Sequence, residues 1–156
     1  AEHPEIVHKT FVAVLGGGKG NIGDVFDFCT GKLGYVNDTR QLVDIYNAAN
    51  VFVLPSLSEN LPNTIMEAMA CGVPSVGFNV GGIPEEIDHK KNGYVAAYRD
   101  VDDLAKGLYW VLYEADYDAL IREAVHKVVT NYSQHAVAMK YIEVYNEAIA
   151  LKNFHL

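Results

Sequence analysis

The sequence predicts an α/β fold in which a Rossmann-like parallel sheet carries helices on both faces. Short apolar segments rich in branched residues, such as residues 10–15 and 50–54, alternate with segments whose apolar residues recur at helical spacing. The connections between them are short and contain glycine or proline. This alternation is typical of right-handed parallel crossovers, because two parallel strands need a covering element between them.

The individual elements follow from their apolar spacing and from the residues that start and stop them. Asp38 precedes Leu42 and Ile45, which predicts a capped amphipathic helix. Pro62 near the start and Gly72 beyond the end bracket a second helix. Strands are expected at residues 10–15, 33–36, 50–54, 74–78 and 94–97. Helices are expected at residues 39–49, 63–71 and 84–87, and three more follow from residue 100.

The composition limits which classes of protein this chain can belong to. The chain has 156 residues, of which 50% are hydrophobic, enough for one ordinary globular domain. A net charge of -8 offers no electrostatic footprint for nucleic acid or anionic lipid. Cys29 and Cys71 lie far apart without metal-like spacing, so neither a disulfide nor a metal site is indicated.

The ends and the hydropathy of the chain predict where it works. No apolar run approaches the ~20 residues of a membrane span, and the first residues lack a signal peptide's pattern. We therefore expect a cytoplasmic protein, with any contact at the inner face of the membrane made by other parts of a longer protein. The absence of an initiating Met indicates a fragment of such a protein.

Two carboxylates follow the buried strand at residues 50–54. Glu59 falls in the strand-to-helix loop, and Glu67 falls in the first turns of the next helix. Ligands bind at the carboxyl edge of doubly wound sheets, where we expect the loops at 16–18, 55–63 and 79–82 to meet. A carboxylate there can accept hydrogen bonds from the vicinal hydroxyls of a ribose, which makes Glu67 the candidate ribose ligand.

Backbone amides at the same edge predict an anion site. The amides of residues 61–64 open a helix, and Gly81 and Gly82 precede another, so both places favour anionic oxygens such as those of a diphosphate. Glu59 would face the group joined to that diphosphate, where it could bind sugar hydroxyls or stabilise cationic character at the reacting carbon.

Each of these features also has a purely structural explanation. Glu67 could simply lie favourably near a helix dipole, Asn63 and Thr64 could be capping residues, and Gly81 with Gly82 could form only a tight turn. A dinucleotide site is a further alternative, because residues 18–23 spell GxGxxG after a strand. The stretch that follows is short for a crossover helix, which favours the first interpretation over NAD binding.

An ordered set of motifs supports the sugar-nucleotide interpretation. The set comprises the strand with glycines 16–18, residues 33–36, residues 42–46 before Ala49, Pro55-Ser56-x-x-Glu59, residues 67–74, residues 81–85 leading to Asn92-Gly93, and the tyrosine-rich end. It resembles the C-terminal, nucleotide-sugar-binding half of family 4 glycosyltransferases of the GT-B fold, over about residues 11–151. The fold that the resemblance implies is the second half of a GT-B enzyme without its first strand–helix unit.

The resemblance also implies roles for individual residues. Glu67 would hold the ribose, Glu59 would lie beside the donor sugar as the catalytic candidate, and Val36 would contact the base through its main chain. The remaining donor-binding candidates are Asn60, Leu61, Pro62, Asn63, Thr64, Gly16, Gly81 and Gly82. Members of the family are mostly retaining enzymes that need no bound metal, and many build bacterial polysaccharides.

The resemblance implies that some active-site residues and the acceptor-binding domain lie outside this chain. The Arg and Lys that neutralise the donor diphosphate in relatives precede the region matched here, and Lys19 alone stands in the first glycine loop. We expect residues 1–131 to form a partial donor-binding domain and residues 132–156 to pack toward an absent N-terminal, acceptor-binding domain. The fragment alone is expected to be inactive. A non-catalytic nucleotide- or sugar-binding module with this fold remains an alternative.

Overall fold

The computed structural model describes residues 9–17 and 29–153, with side chains as far as residue 151. The described residues up to Asp44 form one compact unit, and those from Ile45 onward form a second. The GxGxxG segment and Lys19 lie outside the described residues.

The first unit contains two parallel strands, β1 (Phe11–Leu15) and β2 (Cys29–Gly34), whose register shifts between Val14 and Leu15. The prediction of a strand at 33–36 was wrong in its bounds, since β2 begins at Cys29 and ends at Gly34. Gly34 adopts a φ of 69°, a left-handed conformation that ends the extended strand. Val36 consequently follows the strand rather than belonging to it.

Helix α1 (Thr39–Asn47) begins where its cap was predicted. The Asp38 carboxylate accepts hydrogen bonds from the amides of Arg40 at 2.8 Å and Gln41 at 3.0 Å. These bonds satisfy amides that have no partner within the helix.

The second unit is built on a three-stranded parallel sheet in the order β3 (Phe52–Leu54), β4 (Ser75–Phe78), β5 (Gly93–Ala96). Its helices are α2 (Asn63–Ala70), α3 (Ile83–Glu86), α4 (Val101–Tyr109), α5 (Tyr117–Asn131) and α6 (Gln134–Asn153). The predicted strands and helices of this unit are confirmed, with ends shifted by one or two residues. A π-helical turn (Trp110–Glu114) extending α4 was not predicted.

Two apolar cores flank this sheet, one on each face. Val53 packs into the core that holds Val76 and Leu104, whereas its neighbours Phe52 and Leu54 pack into the core that holds Ile65 and Ala124. Successive strand residues therefore point to opposite faces, each covered by helices. This arrangement confirms the predicted α/β class with helices on both faces.

Helix α6 buries little of its surface. Tyr141 and Tyr145 are 59% and 62% exposed, and Val144, Ile149 and Leu151 are exposed as well. A long helix normally buries an apolar stripe, so this surface stands out from the rest of the unit. None of the helices in the described part of the chain is long and apolar enough to cross a membrane.

Candidate functional site

The loops after β3 and β4 meet at the carboxyl edge of the three-stranded sheet. The Gly82 amide donates a hydrogen bond to the Asn60 carbonyl, which joins the two loops directly. Gly81 has a φ of 55°, and a Cβ built there would overlap the backbone carbonyl of Glu59. Glycine is therefore required for the backbone to approach this closely. We call this contact between Gly81–Gly82 and Glu59–Asn60 the loop clamp.

The loop clamp leads directly into the start of α2. Pro62 is buried and occupies the cap position with extended backbone, and no side chain caps the helix. Asn63 and Thr64 are exposed helical residues, so the alternative that they are the capping residues is wrong. The first amides of α2, which lack intrahelical acceptors, thus lie at the edge where an anion was expected.

Glu67 is exposed on the second turn of α2 and is held in orientation by a tyrosine. The Tyr46 hydroxyl donates to Glu67 Oε2 at 3.0 Å. Tyr46 is itself only 3% exposed, and its ring lies edge-on against Phe52, 5.8 Å between centroids. Burial, and next the hydrogen bond to Glu67, raise the pKa of Tyr46 above its ordinary value. The hydroxyl therefore remains a donor at neutral pH.

This hydrogen bond leaves most of the carboxylate open. An ionised carboxylate has about four acceptor positions, and Tyr46 uses one of them on Oε2. Glu67 is exposed, so the remaining positions are accessible for hydroxyl groups. Sequence reasoning missed Tyr46 as a site residue. Tyr46 lies near the end of α1, just before β3, and contacts α2, the helix that follows β3.

Glu59 is half-buried in the loop and lies near a second acidic residue, Glu86. Glu86 is 0% exposed, and neither of its carboxylate oxygens has a hydrogen-bond partner. Burial raises the pKa of Glu86 to about 7, with smaller contributions from Glu59 and then Glu85. Sequence reasoning missed Glu86. Glu86 follows the apolar Ile83 by three residues, a spacing that puts both side chains on the same face of a helix.

Most of the predicted site residues lie together in the second unit. The loop clamp and the start of α2 hold Glu59, Asn60, Leu61, Pro62, Asn63, Thr64, Glu67, Gly81 and Gly82. The first unit holds the other two candidates. The Gly16 amide donates to the Gly34 carbonyl at 2.8 Å at the end of β1, and Val36 is half-buried after β2.

The third loop at this edge also contacts the β3–α2 loop. The Tyr98 hydroxyl donates to the Leu57 carbonyl at 3.0 Å, and the guanidinium of Arg99 stands 5.1 Å from the centre of the Tyr98 ring. Among the described residues, no group of acidic, histidine or cysteine side chains is arranged to hold a metal ion.

Comparison with known proteins identifies the family. Residues 12–114 match the family described as glycosyl transferases group 1. The chain is 30% identical over 111 residues to the D-inositol 3-phosphate glycosyltransferase of Saccharomonospora viridis, covering 71% of this chain and 26% of that protein. It is 33% identical over 129 residues to the amylovoran biosynthesis glycosyltransferase of Erwinia amylovora, covering 78% and 31%.

Solved structures show the same fold. Sucrose-phosphate synthase from Thermosynechococcus elongatus aligns with a TM-score of 0.69 at 27% identity, over 79% of this chain and 31% of that one. Anabaena HepE aligns with a TM-score of 0.70 at 19% identity, over 86% and 40%. The chain spans about a quarter of the length of one of these curated relatives and a third of the other. It belongs to the glycosyl transferases group 1 family and has the fold of GT-B glycosyltransferases.

Proposed function

We propose that this chain is the donor-binding domain of a glycosyltransferase that moves a sugar from a nucleoside diphosphate sugar to an acceptor. In this proposal it corresponds to the C-terminal half of a family 4 enzyme. The observation that carries the proposal is the Tyr46–Glu67 pair, which presents an oriented carboxylate on α2, the helix that follows the loop clamp.

The ribose is assigned to Glu67. Its carboxylate is exposed and fixed by Tyr46, so it can accept hydrogen bonds from two neighbouring hydroxyls without first losing side-chain freedom. The vicinal hydroxyls of a ribose present that pattern. Gly16 and the main chain of Val36 remain our candidates for further donor contacts, with Val36 at the base.

The diphosphate is assigned to the amides at the start of α2 and to the Gly81–Gly82 turn, where the Gly82 amide is already bound to the Asn60 carbonyl and the Gly81 amide is the candidate donor. The α2 amides lie just before Glu67 in the chain, and the dipole of α2 adds a favourable potential for anionic oxygens. Glu59 precedes them in the loop, and we assign it to the side of the sugar. There its charge could stabilise an oxocarbenium-like transition state. We propose that donor binding needs no bound metal.

Relatives support the class of donor and of product. HepE was crystallised with UDP-glucose, and the Erwinia relative is named for amylovoran biosynthesis. By analogy we propose a nucleoside diphosphate sugar as donor and a retaining transfer in bacterial polysaccharide synthesis. The setting we propose is cytoplasmic, at the inner face of the membrane if the acceptor is held there.

The acceptor is assigned to another part of the protein. The matched part of this chain covers only 26% and 31% of the two curated relatives, and α6 exposes an apolar, tyrosine-rich surface. We propose that α6 packs against an N-terminal acceptor-binding domain, as the last helix of such enzymes would. Transfer activity then requires that domain, and the 156 residues alone bind donor without transferring it.

Calorimetric titration of the chain with UDP-glucose, UDP, GDP and NAD tests the donor assignment. We expect a nucleoside diphosphate to bind and Glu67→Ala to weaken it about 10-fold or more, which corresponds to one charged hydrogen bond. Glu143→Ala, which removes an exposed carboxylate from α6, is the matched control. Binding of NAD in preference to the diphosphates, or an unchanged affinity in Glu67→Ala, would refute the assignment.

A further inference from the structure

The side chain of Glu86 is the one fully buried acidic group in the described part of the chain. Both of its carboxylate oxygens lack hydrogen-bond partners. Burying an ionised carboxylate without a partner is costly, whereas the neutral acid is far less so. The fold therefore favours a protonated Glu86.

The ionisable groups around Glu86 reinforce this preference. The negative charges of Glu59 in the β3–α2 loop and of Glu85 on α3 both raise the pKa of Glu86. Glu86 in turn contributes to the raised pKa of Tyr132 at the end of α5. The Tyr132 hydroxyl donates to the Glu85 carbonyl at 3.0 Å. Asp88, also near Tyr132, is paired with Lys127 at 2.8 Å. The one cation of this group is thus already bound to a carboxylate.

Helix α3 connects Glu86 to the loop clamp through a single turn. The Glu86 amide donates to the Gly82 carbonyl at 3.3 Å, and the Gly82 amide donates to Asn60. At the other end, the Asn92 side chain donates to the Glu86 carbonyl at 3.3 Å. A movement of α3 that brings the Glu86 carboxylate to water must therefore disturb the hydrogen bond that holds Asn60.

We propose that Glu86 is a pH-sensitive positioning residue for the donor site, whose neutral acid keeps α3 seated and the loop clamp closed. When Glu86 loses its proton to solvent, its negative charge repels Glu59 and favours a shifted α3 that exposes the carboxylate. The clamp then opens, and Asn60 and the start of α2 lose their fixed position. Glu86 acts through this backbone and does not itself contact the donor.

The effect on donor binding rests on the function proposed above. If the closed clamp is needed to bind donor, affinity falls as the pH rises from the ordinary glutamate pKa of 4.5 to the Glu86 pKa of about 7, by at most 10-fold per pH unit, and levels off above it. The Glu86→Gln variant carries a neutral side chain of the same shape. Its donor affinity is expected to be flat over this range.

A ligand-free NMR titration of the intact chain tests the inference independently of donor binding. The Glu86 side-chain carboxyl and the amides of Asn60, Leu61 and Gly82 are followed from about pH 5 to about pH 9. We expect all of them to titrate together with one midpoint, raised above the ordinary 4.5 toward 7, and the amide changes to vanish in Glu86→Gln. The conservative variant Glu85→Gln, on the exposed side of α3, should retain them.

The outcomes separate the two proposals. Amides that do not follow the Glu86 carboxyl, or that titrate equally in Glu86→Gln, would overturn the positioning role. The carboxyl titration in the unsubstituted chain tests the positioning role even if Glu86→Gln does not fold. A Glu86 carboxyl that ionises below about pH 5 would contradict that role. UDP-glucose that fails to bind at any pH counts against the donor assignment and leaves the amide titration decisive for Glu86.

Discussion

The hydroxyl of Tyr46 donates a hydrogen bond to the carboxylate of Glu67 across 3.0 Å. This bond joins α1 to α2 and sets the direction of the one carboxylate that we assign to a ribose. Because Tyr46 is buried and its ring packs against Phe52 of β3, the hydroxyl that donates this hydrogen bond is itself held in place by the core.

Tyr46→Phe removes this hydroxyl and keeps the ring. We expect the affinity for UDP-glucose or UDP to fall about 3- to 10-fold, because Glu67 regains rotamer freedom, and stability to fall by about 1 kcal/mol. Calorimetry and urea unfolding measure the two effects. Tyr117→Phe is the matched control, since its hydroxyl donates to the Asn50 carbonyl at 2.8 Å away from Glu67. Equal losses of affinity in both variants would show that Tyr46 has no specific role.

Gly81→Ala tests the loop clamp. The added Cβ meets the Glu59 carbonyl in a backbone conformation that already disfavours alanine. We expect a loss of stability of about 2–4 kcal/mol together with weakened nucleotide binding. Gly34→Ala is the control, because Gly34 has a φ of 69° but open space around the built Cβ, and its cost should be only about 1 kcal/mol. Two equal costs would mean that the close approach to Glu59 contributes nothing.

Glu86→Gln should change how stability depends on pH. The folded-state pKa of Glu86 is raised to about 7 from an ordinary 4.5, so the folded chain holds this proton more tightly than the unfolded chain. Its contribution to stability is fully present below the unfolded pKa and is lost as the pH rises to the folded pKa, a loss on the order of 1–3 kcal/mol. Urea unfolding at a series of pH values should therefore show the unsubstituted chain losing stability relative to Glu86→Gln over this interval. A constant difference between the two proteins would contradict the raised pKa.

Strong periodicity made most of the fold predictable. The three strands of the second unit are short runs of apolar residues, and its helices carry clear apolar spacing and end signals, so their positions emerged to within two residues. Strand β2 was placed too late because residues 29–32, Cys-Thr-Gly-Lys, have no apolar alternation. Its pairing with β1 is a tertiary effect that a local pattern does not contain.

The candidate site was predictable where backbone chemistry defines it. Gly81, Gly82 and Pro62 have roles that follow from residue type, and the structure brings them together with Glu59 as expected. Tyr46 and Glu86 were missed because their roles depend on tertiary contacts. The local sequence predicts a buried core residue for a tyrosine on an amphipathic helix and an exposed residue for a glutamate. Their contacts with other elements appear only in the folded structure.

A crystal structure of this chain with UDP-glucose bound would show which residues hold the ribose, the diphosphate and the sugar. We expect both ribose hydroxyls on the Glu67 carboxylate, the diphosphate against the amides at the start of α2, and the glucose toward Glu59. A nucleotide held at another place, or one whose ribose makes no contact with Glu67, would refute the proposed donor site.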